Sequence, residues 1–177
     1  MEPSLGYTPL QLLQDLDQGL DRFTKNRLKF YRPYPKQREF HDLGGQGKTF
    51  RLFFAGNQLG KSECGAAELA MHLTGEYPDW WKGITFNHPI LAWAGGDTNV
   101  TVRDILQEKL FGSIKEPGTG FIPEDCIGDA TKSHNIRNSY ERCEVKHVTG
   151  GTSTVVFKSY EQGEKKWRGV GVHVIHL

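Results

Sequence analysis

The residues with the most evident chemistry are Ala55-Gly56-Asn57-Gln58-Leu59-Gly60-Lys61-Ser62. A glycine-bearing loop follows an apolar run here, and Gly-Lys-Ser opens an alanine-rich segment with helical character. Successive backbone N–H groups in such a loop form a concave nest for an anion, and the start of the following helix adds partial positive charge. Gly60 lets the backbone approach a phosphate closely. Lys61 supplies a point charge for β- and γ-phosphates, and the Ser62 hydroxyl can coordinate the Mg²⁺ that travels with ATP. The strict pattern is G-x-x-x-x-G-K-[ST]. Ala55 stands at its first glycine and Gly56 follows one position later, so the match departs at one place. The plain alternative is a strand–turn–helix with a surface lysine.

Other side chains offer supporting chemistry. The Gln37 amide carries both a donor and an acceptor, which suits the edge of adenine, and Tyr34 can stack on the base. The plain alternative for this pair is a helix-surface amide beside a packing tyrosine. Arg168, in Lys165-Lys166-Trp167-Arg168-Gly169, is a candidate to spread charge away from a transferring phosphoryl group. Otherwise it belongs to a solvated basic turn. Asp97 follows Ala94-Gly95-Gly96 at the end of an apolar run, where ligands gather in α/β sheets, although a helix cap is the simpler reading. Residues 22–38 hold seven basic side chains, no acidic one and four aromatic ones. Such a segment can grip nucleic acid, but a solvated face or an intersubunit surface accounts for it more simply. The seven histidines show no metal-ligand spacing, and the three cysteines no C-x-x-C pair, so no metal is assigned to protein ligands alone.

These residues need a frame. The chain has 177 residues, 22 basic and 21 acidic, which suits one compact domain whose bulk charge neither demands nor forbids nucleic acid. Glycine, at 21 residues, is enriched without a G-X-Y period, which points to turns and ligand-cradling loops. No apolar run reaches membrane-spanning length. The first 21 residues carry four acidic side chains and no Lys or Arg, the reverse of a secretory leader, and free thiols fit a cytosolic chain. Thr8-Pro9 caps an amphipathic helix over the following leucines, which Pro33 and Pro35 end; a short helix covers 36–43. Residues 49–55 read as a buried strand, 61–73 as a helix, 88–94 as a strand, and 98–111 as a helix capped by Asp97 or Thr98. Residues 112–139 read as loop with a short helix at 124–127, 143–148 and 152–159 as a side hairpin, and 170–177 as a final strand. Strand–helix alternation predicts an α/β fold of three layers, its mostly parallel sheet covered on both faces.

Four motifs in order, Tyr34-Pro-Lys-Gln-Arg-Glu-Phe40, the 55–62 loop, Trp93-Ala-Gly-Gly-Asp-Thr-Asn99 and Trp167-Arg-Gly169, together resemble the large terminase subunit of tailed bacteriophages, closest to the short-tailed, headful-packaging kind. The resemblance implies a P-loop NTPase fold of the RecA-like, additional-strand catalytic-glutamate (ASCE) class. It divides the chain into an N-terminal helical, basic segment (1–47) leading into the nucleotide pocket and a partial ATPase core (48–177). It implies binding of ATP and Mg²⁺ through residues 55–62, Gln37 and Tyr34. Lys61 and Arg168 would be catalytic, and Arg168 would act on a neighbouring subunit's nucleotide. The implied activity is ATP hydrolysis that drives DNA into a procapsid in the host cytoplasm. The implied partners are double-stranded viral DNA, the portal protein, the small terminase subunit and further copies of the chain in a ring. In that family the last strand ends in an acidic pair, one acting on Mg²⁺ and one as base. Leu177 stands where that pair would begin, so the expectation is a core truncated before the acidic end of its Walker B strand and, alone, inactive. A helicase-like P-loop ATPase and a hydrolysis-deficient nucleotide- or DNA-binding assembly module are the rival readings.

Overall fold

The computed structural model describes residues 8–134 and 136–177. Residues 1–7 of the N-terminal segment lie outside the described residues. Helix α1 (Pro9–Lys25) starts where its sequence dictates. Thr8 Oγ1 accepts the Gln11 N–H at 3.3 Å, Gln11 Oε1 accepts the Thr8 N–H at 2.8 Å, and Pro9 occupies the first helical position. Its leucine stripe is exposed throughout, with no residue of the helix buried. Two short helices follow, α2 (Arg27–Phe30) and α3 (Pro35–Gly45). Gly44 and Gly45, expected in a turn, close α3 instead.

Helix α4 (Lys61–Thr74) is the centre of the molecule. Gly60 and Gly75 bound it in left-handed conformations, and every residue from Cys64 to Thr74 is buried. Strand β1 (Leu91–Gly96) leads to α5 (Asn99–Thr101), a π-helical stretch (Val102–Gln107) and α6 (Glu108–Phe111). Thr98 is the cap of α5, its Oγ1 accepting the Thr101 N–H at 3.0 Å, while Asp97 is exposed. Strands β2 (Ile127–Lys132), β3 (Tyr140–Lys146), β4 (Thr152–Ser159) and β5 (Val174–His176) complete a five-stranded sheet of order β2-β3-β4-β1-β5. β1 pairs in parallel with β4 and β5, and β3 runs antiparallel to β2 and β4.

The structure is α/β, but the sheet is mixed. The expected side hairpin is not separate: β4 inserts next to β1, with Ala92 opposite Val155 and Ala94 opposite Phe157. These four side chains form one buried layer with Leu69, Leu73, Leu106 and Leu110, so α4 and the helical run to Phe111 lie together on one face. On the other face Trp93 is covered by Lys158 and Trp167, supplied by β4 and a short turn (Glu164–Trp167). Among the described residues that face carries, in place of a second helical layer, a cation held against indole rings.

The largest departure is residues 49–55. They form no strand. Phe50, Leu52 and Phe54 are 96%, 86% and 92% exposed. Arg51 donates to the Phe40 carbonyl at 3.0 Å and pairs with Glu68, and Phe53 stacks on Phe40 at 5.4 Å. These contacts turn the odd-numbered side chains inward. The even-numbered apolar ones face outward, because no neighbouring strand among the described residues pairs with this segment.

Candidate functional site

A cavity of about 900 Å³ opens at the start of α4. Asn57, Gln58, Gly60, Lys61 and Ser62 line it from the loop, and Tyr34 and Gln37 line it from the start of α3. Residues expected to act together, separated by twenty or more positions of sequence, thus line one cavity. Ala55 and Gly56 contribute through their backbone: their carbonyls accept hydrogen bonds from Lys61 Nζ at 2.8 and 2.7 Å. Leu59, the remaining loop residue, is exposed. The lysine is therefore folded over its own loop and fixes the loop's curvature.

Gly60 is required at its position on two counts. Its φ is +76°, and a Cβ there would stand 2.7 Å from Gln37 Nε2. Gln58 also has positive φ, at 60°. Gln37 is buried and braced at both ends of its amide. Oε1 accepts the Tyr34 N–H at 2.8 Å, and Nε2 donates to the Gly60 carbonyl at 2.9 Å. An amide has two acceptor lone pairs and two donor hydrogens, so one of each is left after these bonds. Tyr34 is 70% exposed at the cavity rim. Ser62 is half-buried on the first turn of α4, with its residue on the cavity wall. Among the described residues no group of three His, Cys, Asp or Glu side chains can hold a metal ion. A divalent cation here would rely on the Ser62 hydroxyl and on ligand oxygens, which fits a cation that arrives with phosphates.

Behind the loop lies a buried polar network that the sequence did not suggest. Glu68, two turns into α4, accepts from His41 Nδ1 at 2.6 Å, pairs with Arg51, and lies 3.5 Å from His72 Nε2. Burial raises its pKa, but the hydrogen bonds from His41, His72 and Arg51 outweigh that and hold the carboxyl well below its usual range. Tyr31 Oη and Cys64 Sγ meet the other His41 nitrogen at 3.1 and 3.5 Å. Burial, with help from the Glu68 charge, pushes the Cys64 thiol up to about 12, so this sulfur is inert packing. The network joins α2, α3, the 49–55 segment and α4 into one rigid base for the loop.

Arg168 does not line the cavity. It is largely exposed and pairs with Glu164 on the same turn. The turn itself is anchored: Trp167 stacks on Tyr160 at 5.4 Å and meets Trp93 edge-on at 5.8 Å, and Lys158 lies 3.8 Å over Trp93. Arg27, Arg32, Glu63 and Lys109 do line the cavity, and sequence reasoning assigned none of them to it. The first two sit in the basic 22–38 segment that reads as a solvated or intersubunit face. No spacing rule marks Glu63 or Lys109, whose pairing spans 46 positions. No described helix is long and apolar enough to cross a membrane.

Comparison with known proteins gives two findings. A family described as the N-terminal part of the T4likevirus-type terminase large subunit matches residues 52–177. The large terminase subunit of Salmonella phage P22 is 40% identical over 184 residues, covering 93% of this chain and 37% of that protein. The chain thus spans little more than a third of the length of this curated relative. No solved structure matches it.

Proposed function

Because this chain belongs to the terminase large subunits, we propose that it is the ATP-binding and hydrolysing part of a motor that moves double-stranded viral DNA into a procapsid in the host cytoplasm. The observation that carries the proposal is the cavity at the head of α4, where Lys61, Ser62, Gln37 and Tyr34 converge. In this reading the fold is a P-loop NTPase and residues 55–62 are its Walker A loop. Loop N–H groups and Lys61 hold the β- and γ-phosphates, and the Ser62 hydroxyl holds Mg²⁺. When bound, Mg²⁺ would supply neutralisation of the phosphate charge. The portal protein, the small terminase subunit and neighbouring copies in a ring are the partners that complete the machine.

Gln37 and Tyr34 form the base end of the site. The amide's remaining donor and acceptor match adenine N7 and N6–H₂, whereas guanine presents O6 in place of the amine. Gln37→Ala therefore lowers ATP affinity and brings the ATP/GTP ratio towards one. Competition of GTP against bound ATP measures this, and an unchanged ratio removes the adenine role.

Arg168 is the residue offered to a neighbour's nucleotide. Its exposure and its anchored turn suit reach in trans, and a guanidinium spreads transition-state charge without accepting a proton. The test is a chimera in which residues 1–177 replace the matching part of the P22 subunit. DNA filling of procapsids should depend on ATP. Arg168→Ala should lower kcat by about 10³-fold or more while ATP affinity stays within about twofold. Normal kcat in that variant removes Arg168 from the site. A chimera that folds and binds ATP yet never packages DNA counts against the motor reading.

A further inference from the structure

The loop is not the only source of positive charge in the cavity. Arg27 from α2 and Lys109 from α6 line the same wall as Lys61, and both converge on one carboxylate. Glu63, directly after Ser62, takes the Arg27 guanidinium on Oε1 at 2.8 Å and the Lys109 ammonium on Oε2 at 2.7 Å. All three side chains are about one-third exposed, so they face the cavity water and are not sealed in the core.

Their scaffolds are stiff. The Arg27 guanidinium lies 5.0 Å over the ring of buried Phe121. Phe121 N–H in turn donates to the Lys109 carbonyl at 2.8 Å, which ties the two cations to one support. Two residues before Lys109, buried Gln107 closes the π-helical stretch. Its amide donates to the Asn138 carbonyl at 3.1 Å and accepts the Tyr140 N–H at 2.8 Å, fixing α6 against the start of β3. π-Helical insertions recur at functional sites because they re-aim the side chains that follow. Arg32 also lines this wall. Among the described residues, four cations thus line the cavity against a single lining carboxylate.

We propose that Arg27 and Lys109 are phosphate-binding residues of this cavity and that Glu63 is their exchangeable counter-ion. The inference rests on the nucleotide reading above and deepens it: the ligand class is a linear polyphosphate carried by a nucleoside. A carboxylate bridging two cations resembles a phosphate oxygen pair in charge and spacing, so phosphate oxygens and Glu63 compete for the same donors. Binding then trades the two Glu63 contacts for phosphate contacts. Because α2 and α6 carry the two cations, ligand binding is transmitted to both elements and not confined to the loop.

The test is calorimetric titration with two probes, ATP and inorganic tripolyphosphate, the latter lacking a base and a sugar. Arg27→Met and Lys109→Met should each weaken tripolyphosphate binding about three- to tenfold, the range of a partly exposed charge contact. Arg27→Lys and Lys109→Arg should restore most of it, which separates charge from packing if a methionine variant melts early. Glu63→Gln should strengthen binding by about the same factor, since it removes the competitor. Wild-type affinity in both methionine variants overturns the proposal while leaving the loop reading intact, provided Lys61→Ala still loses affinity. Weaker binding in Glu63→Gln overturns the exchange and assigns the carboxylate a direct supporting role. If the unaltered chain binds neither probe, this inference and the nucleotide reading fall together.

Discussion

Lys61→Ala is expected to weaken binding of a fluorescent ATP analogue by about 1.5–3 kcal/mol, roughly tenfold to a hundredfold and more in Kd. Two effects add. The variant loses the charged donor that would face the β- and γ-phosphates, and charge-assisted bonds of this type are the strong ones. It also loses the two bonds from Nζ to the Ala55 and Gly56 carbonyls, which hold the loop closed on itself. A loop that must be ordered by its ligand binds more weakly than one already shaped. Parallel titrations of the two proteins measure the difference, with circular dichroism to confirm that α4 remains. Equal affinities would take the loop out of the site.

Glu68→Ala should cost about 3–5 kcal/mol of unfolding free energy at neutral pH, because it strands Arg51 in a partly buried setting and leaves buried His41 and His72 without their acceptor. Urea unfolding measures it. The pH dependence gives an independent check on the same residue. The Glu68 carboxyl is held below its ordinary value in the folded chain, so its contribution is complete above the unfolded value near 4.5 and is lost as pH falls below that towards the folded value. Stability of the unaltered chain should therefore drop as pH is lowered from 5, and Glu68→Gln should flatten that part of the curve. A neutral-pH loss under about 1 kcal/mol would show that the network is not a structural support.

Where the fold was legible, the signal was local. The Thr8-Pro9 start of α1 and the Gly60-Lys61-Ser62 opening of α4 are set by neighbours a few residues away. Non-local pairing defeated the rest. Strand β2, Ile-Gly-Asp-Ala-Thr-Lys, carries almost no β signal and exists because it adds to the edge of β3. Residues 49–55 carry a strong β signal and form no strand, because composition does not say whether a partner stands alongside. The site divides in the same way. Gly60, Lys61 and Ser62 are contiguous and follow a known spacing. Arg27 and Lys109 reach Glu63 across 36 and 46 positions, distances over which no sequence rule applies.

The outward row of Phe50, Leu52 and Phe54 bears on how the polypeptide behaves in a tube. Three large apolar side chains on one side of an extended stretch, with backbone donors and acceptors not taken up by a ladder, make a template for intermolecular β-pairing. A net charge of +1 and an isoelectric point of about 7.8 supply little colloidal repulsion near neutral pH. Concentration and the distance of the buffer pH from the isoelectric point will therefore govern solubility. Moving the buffer away from the isoelectric point, or placing a lysine at Leu52, is the direct route to a well-dispersed sample.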